Sequence, residues 1–145
     1  MSELMLKIET AIAIRYAETD QMGIAHHSNY PVWFEIGRTD FFRQIGFPYS
    51  EIECNGILLP LTDMSCKFIK PARFEDPIVI QTYINRFMHV RVGFHYDVYH
   101  KESGTMIATG ETNHGWTDRQ FHPIGIKTRF PALYEALRFS VKNEY

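Results

Sequence analysis

The chain is short of the features that mark several common protein classes. It has two cysteines, Cys54 and Cys66, in 145 residues. They form no CxxC pair, so neither a zinc site nor a redox motif is suggested. Free buried thiols in a reducing compartment are the expectation. Positive charge is not in excess: the formal net charge is −2, without the broad basic field of a nucleic-acid binder. No apolar run is long enough to cross a bilayer. The opening Met1 to Thr10 carries acidic residues where a secretory leader needs a continuous apolar stretch. A cytoplasmic protein with no nucleic-acid partner and no membrane insertion is expected. No repeat, low-complexity tract or Pro/Gly/Ser linker divides the sequence, so a single domain over residues 1–145 is expected. A domain of this size buries roughly two thirds of the surface its unfolded chain exposes. It can therefore hold a core without disulfides or metal.

What the chain does have is apolar and aromatic residues. Hydrophobic residues make up 45% and charged residues 22%, with eleven Phe and eight Tyr. Such a content serves a dry core, an oligomer interface or an apolar ligand pocket equally well. Ile8, Ile12, Ile14 and Tyr16 alternate, which predicts a strand over 8–16. Tyr30, Trp33, Phe34, Gly37, Phe41 and Ile45 recur at helical spacing, and Val32 and Ile36 add apolar surface on another side. The pattern predicts an enclosed helix from about Asn29 to Ile45. Ser28 or Asn29 is suited to cap its start, Pro31 fits the first turn, and Gly46 ends it. A short helix is expected at Tyr49–Cys54. Strands follow over Ile57–Ile69, Ile78–Phe87, Val90–His100 and Thr105–Asp118, with a turn at Ser103-Gly104 and an extra strand near Ile124. A closing helix spans Phe130–Phe139. Short connections favour antiparallel pairing. One hydrophobic helix covered by one antiparallel sheet is an α+β arrangement, a curved sheet wrapped around a central helix.

Asp20-Gln-Met-Gly23 interrupts this pattern just ahead of the long helix. An Asp in such a turn commonly bonds its own backbone. Here, however, the segment leads to a helix N-terminus, whose unpaired N–H groups and partial positive charge favour an anion. Gly23 lets the chain double back, so that the Asp20 carboxylate can approach those donors. A carbonyl oxygen seated on the helix start would be polarised and its carbon open to attack, and one such donor is worth roughly 3 kcal/mol in acyl transfer.

Asp20-Gln-Met-Gly23-Ile-Ala-His-His27-Ser-Asn-Tyr30, followed by Trp33-Phe-Glu35 and Arg38, resembles the signature of hotdog-fold acyl-CoA thioesterases of the 4-hydroxybenzoyl-CoA thioesterase family. Phe68-Ile-Lys-Pro71-Ala-Arg73-Phe-Glu-Asp76 and Ala108-Thr-Gly110-Glu-Thr-Asn-His114 extend the resemblance over nearly the whole chain. The resemblance implies a hotdog fold and hydrolysis of an acyl-CoA thioester to free acid and CoA. It makes Asp20 the catalytic carboxylate, as nucleophile or as general base toward water, and the N–H at His27 the oxyanion donor. His27 itself would orient water or substrate. The family's active sites lie between subunits, so a homodimer or homotetramer is implied. Gln21 stands where the 4-hydroxybenzoyl-specific members have Pro, which speaks against that specificity but not against thioester hydrolysis. No cofactor is implied, because CoA is part of the substrate.

Other residues carry weaker signals. The remaining histidines follow no metal-ligand spacing, so no metal is expected. Tyr30 is a core residue first and an acyl-pocket residue second. Glu35 and Arg38, at i and i+3, suit a helix ion pair. Lys67, Lys70, Arg73, Arg86 and Arg91 are basic candidates for the CoA phosphates, with Lys70 and Arg73 ranked first. His114 is assigned to packing before any pocket role. Ser65 lacks the elbow motif of a nucleophile. Two alternatives remain: a dehydratase or hydratase of the same fold, against which no Pro-Gly pair follows any His, and a non-catalytic acyl-CoA sensor, which has no need of Asp20.

Overall fold

The computed structural model describes residues 5–141. Strand β1 (Ile8–Ala13) is followed by the long helix α1 (Tyr30–Gln44), a short helix α2 (Tyr49–Cys54), and strands β2 (Leu61–Phe68), β3 (Pro77–Phe87), β4 (Arg91–His100) and β5 (Met106–Gly115). Helices α3 (Ile126–Arg129) and α4 (Pro131–Val141) close the chain. All four neighbouring strand pairs are antiparallel, in the order β1-β3-β4-β5-β2. The sheet wraps the apolar face of α1, as the periodicity predicts.

Trp33, Phe34 and Phe41 of that face are fully buried, beside Phe94, Tyr96 and Trp116. Each contributes roughly 1.5–3 kcal/mol by leaving water. Gly37 is what lets the helix lie this close. A Cβ there would stand 2.9 Å from Ile80 Cγ2 and closer still to Thr82 Oγ1, well inside ordinary contact.

Several boundaries differ from the sequence expectation. The first strand stops at Ala13, and Tyr16 is 76% exposed in a 3₁₀ turn, Tyr16–Glu18. Val32 and Ile36 are not enclosed, being 44% and 37% exposed. The extra strand near Ile124 is reduced to an isolated Thr117–Pro123 bridge. The short helix α3 has too little periodicity to be read from sequence. Most consequential is the path from β2 to β3. These strands are neighbours in sequence but have two other strands, β4 and β5, between them in the sheet. Residues 69–76 therefore cross from one edge toward the other. The crossing carries Lys70, Pro71 and Ala72 past the mouth of α1.

Candidate active site

The turn before α1 is a miniature hairpin. Asp20 N–H donates to Ile24 O and Gly23 N–H to Asp20 O, both at 2.9 Å, and Thr19 bridges Ala25. Gly23 has φ +79°, which a residue with a side chain adopts only at a cost. Ile24 bridges Arg73, and Ala25 N–H donates to Ala72 O at 2.7 Å. The hairpin is thus clamped onto the crossing segment.

The amides at the helix mouth are nearly all taken. His26 N–H donates to Glu18 O, Ser28 N–H to the His26 ring, and Asn29 N–H to His26 O. Tyr30 N–H donates to His27 O. Neither Ser28 nor Asn29 caps α1 with its side chain. The His26 ring caps a preceding 3₁₀ turn, His27–Asn29, instead. Among the described residues, nothing accepts a hydrogen bond from the His27 N–H.

A cavity of about 400 Å³ borders His27. It is lined by Asp20, His27, Tyr30, Phe68 and Lys70, with Met22, Ile24, Ala25, Ile69 and Pro71. Asp20 is half-buried, and its Oδ1 accepts the Met22 N–H at 2.8 Å. This is the ordinary turn bond. Among the described residues Oδ2 has no donor, so one carboxylate oxygen remains available. Phe68 stands edge-on to Tyr30 at 4.9 Å and to His27 at 6.5 Å, giving the cavity an aromatic wall. Burial pushes the Tyr30 hydroxyl up to about 12 and the Cys66 thiol up to about 11. Both stay protonated at neutral pH, so Cys66 is no nucleophile. Of the residues singled out from sequence, Asp20, His27, Tyr30 and Lys70 meet at this cavity. Gly23 shapes the turn without lining it, and Arg73 lies outside on the crossing segment.

The sequence reading missed Glu18, the residue that holds this mouth together. It is 5% exposed. Its carboxylate accepts the Arg15 N–H at 2.8 Å, the Trp33 indole N–H at 3.2 Å and the Arg15 guanidinium at 3.2 Å. Its carbonyl accepts His26 N–H and the Asn29 side chain. Burial alone would raise the Glu18 pKa, but the Arg15 amide, the indole and the guanidinium outweigh it and hold the carboxyl below its usual range. The available signal was Arg15 three residues ahead, a capping-box spacing.

Glu35 and Arg38 do not pair. Arg38 turns inward, donating from Nε to Tyr49 Oη at 3.0 Å and from Nη1 to Tyr96 Oη at 2.9 Å. Tyr96 lies 2.6 Å from Thr112 Oγ1, which lies 2.9 Å from His114 Nε2. The His114 Nδ1 is 3.2 Å from Leu59 O. Because that carbonyl only accepts, Nδ1 carries the proton and Nε2 accepts from Thr112. Thr112 in turn accepts from Tyr96, so every polarity in the relay is fixed. Burial, helped by the Arg38 charge, pulls the His114 pKa down to about 4. The imidazole is neutral at pH 7.

A curved antiparallel sheet around a long helix, with a carboxylate and an open amide at the helix mouth, defines a hotdog-fold enzyme of the thioesterase type. The chain belongs to the thioesterase-like superfamily, whose family model matches residues 14–137. YneP of Bacillus subtilis (strain 168), by its name a proposed acyl-CoA thioesterase, is 36% identical over 126 residues, which is 86% of this chain and 91% of YneP. The crystal structure of DHNA-CoA thioesterase from Staphylococcus aureus superposes with a TM-score of 0.86 at 32% identity, covering 90% of this chain and 87% of that one. A hypothetical protein of Thermus thermophilus gives 0.85 at 33%, covering 94% and 100%.

Proposed function

We propose that the chain hydrolyses acyl-CoA thioesters at this cavity, with Asp20 as the attacking or proton-accepting group. Family membership and the thioesterase relatives support the reaction class. The observation that carries the site is that one cavity is lined by Asp20, whose Oδ2 has no donor among the described residues, and by His27, whose N–H has no acceptor among them. A thioester carbonyl oxygen seated on the His27 N–H becomes polarised. Its carbon then faces Asp20. The carboxylate either attacks directly, giving an anhydride that water cleaves, or deprotonates a water held beside the carbonyl. The thiolate of CoA leaves readily, so no strong acid and no cofactor are required. The His27 ring, exposed at the rim, orients substrate or water. Tyr30 and Phe68 pack against the acyl group, and Lys70 meets phosphate oxygens of CoA. A cytoplasmic location belongs to the same reading, in keeping with the free thiols of Cys54 and Cys66.

Self-association completes the proposal. Strand β2 is an edge strand, and seven of its eight residues are exposed, a surface that pairs readily with another strand. Its sequence is self-complementary. If two copies pair antiparallel about Ser65, Asp63 of each faces Lys67 of the other. Opposite charges placed this way stabilise a strand pair. Met64 and Cys66 then meet on the apolar side. The unit is a homodimer, and a homotetramer is two of these.

Thiol release from acyl-CoAs of graded length tests the reading, run beside Asp20→Asn. Hydrolysis should fall roughly 10²–10⁴-fold in the variant. Tight binding of acyl-CoA without turnover by the wild type would favour a sensor. Incorporation of ¹⁸O into Asp20 in a single turnover would mark the anhydride route.

A further inference from the structure

The side chain of Asn29 reaches backwards along the chain instead of capping α1. Its Nδ2 donates to Glu18 O at 2.9 Å and to His26 O at 3.1 Å. Both partners are carbonyls, which only accept, so the nitrogen end of the side chain must face them. Each carbonyl also has a second donor. His26 N–H bonds Glu18 O at 2.8 Å, and Asn29 N–H bonds His26 O at 3.0 Å. One side chain therefore ties the turn Tyr16–Glu18 to the turn His27–Asn29 ahead of α1. An amide NH₂ can serve two carbonyls at once, whereas a Ser or Thr hydroxyl donates one bond and an ionised Asp none. Asn29 is half-buried and is not among the residues lining the Asp20 cavity.

The consequence lies in the peptide unit that joins His26 to His27. That unit is trans, hence planar, with its C=O and N–H pointing in opposite directions. Whatever holds the His26 carbonyl therefore aims the His27 N–H. Here two donors of Asn29, one main-chain and one side-chain, hold it. A single bond would leave the peptide plane free to rock, and the second one restrains it. Hydrogen bonds in series also polarise one another, so an amide whose carbonyl is doubly bonded is the stronger donor. Among the described residues nothing accepts from the His27 N–H. The strengthened donor is uncommitted.

We propose that Asn29 is a positioning residue for the hydrolysis: by gripping the His26 carbonyl it orients and strengthens the His27 amide that meets the thioester oxygen. The inference rests on the proposed thioesterase reading and adds a residue to its machinery. More negative charge sits on that oxygen in the transition state than in the bound thioester. A well-aimed amide therefore lowers the barrier more than it tightens binding. Asn29 acts on kcat and leaves KM alone.

In Asn29→Ala each of the two carbonyls keeps one donor, so the melting temperature should fall little. The kcat should fall roughly 10-fold at unchanged KM, a part of the roughly 10²–10³ that a whole oxyanion donor is worth. Asn29→Ser should lie between, because a Ser hydroxyl can reach the carbonyl three residues back. It also keeps the test open should the Ala variant fail to fold. The carbonyl stretch of a bound thioester separates aim from mere stability. Hexanoyl-CoA or benzoyl-CoA, whichever the wild type cleaves faster, is labelled with ¹³C at the carbonyl and bound to Asp20→Asn, which holds it uncleaved. Its isotope-edited infrared band should lie at lower frequency there than in the double variant Asp20→Asn with Asn29→Ala. Coincident bands overturn the proposal. So does a kcat unchanged by both Asn29 substitutions, or one that falls only with the folded fraction. Absence of thiol release from every acyl-CoA would instead overturn the thioesterase reading itself.

Discussion

His114 gives the fold a measurable dependence on pH. Its imidazole is 1% exposed, is bonded on both nitrogens and sits within reach of the Arg38 charge. Burial and that charge take its pKa from the ordinary 6.5 to about 4. In the unfolded chain the same ring takes up a proton as pH falls through about 6.5. The unfolded state therefore binds more protons between these two values, and stability must decline as pH drops through the window. At about 1.4 kcal/mol for each pH unit of the gap, the full decline is about 3 kcal/mol at pH 4. Gln in place of His114 can still donate to Leu59 O and accept from Thr112, but it does not titrate. Urea unfolding of wild type and His114→Gln at intervals from pH 7.5 to 4 isolates the effect, because other titrating groups are common to both. The wild-type curve should fall below that of the variant progressively from about pH 6.5. Parallel curves would refute the reasoning, as they would mean that the ring is charged in the folded protein or that water reaches it.

Other outcomes follow from the same packing. Glu18→Ala leaves the buried Trp33 indole and the Arg15 amide without an acceptor, at roughly 1–3 kcal/mol each, so the melting temperature and thiol release should fall together; Glu18→Gln, which keeps an acceptor oxygen, should lose less of both. Gly37→Ala drives a methyl group into Thr82 and Ile80, an overpacking worth about 1–3 kcal/mol, read by chemical denaturation. Asp63→Lys places like charges across the proposed strand pair and should shift the protein toward monomer in sedimentation; exchanging the two charges, Asp63→Lys with Lys67→Asp, should restore the dimer. Lys70→Ala should raise KM for acyl-CoA more than it lowers kcat, because a phosphate contact remote from the carbonyl is the same in ground and transition states.

The sequence by itself carried the main outline. The apolar stripe from Tyr30 to Phe41 determined a helix that a sheet had to cover, because a 3.6-residue period leaves one face that water must not reach. Asp20 and Gly23 marked the turn, and the run from Asp20 to Tyr30 resembled one enzyme family closely enough to name the chemistry. Tertiary structure decided what periodicity cannot express. Glu18 looks like any charged residue until Trp33, fifteen positions later, points its indole at it. Arg38 sits three residues beyond an acidic partner and still turns away, because two phenols inside the fold offer it better-placed oxygens. The crossing from β2 to β3 follows from sheet order, which local spacing leaves open. That crossing brings Lys70 to the helix mouth beside Phe68 at the end of β2, and it leaves β2 at the edge of the sheet.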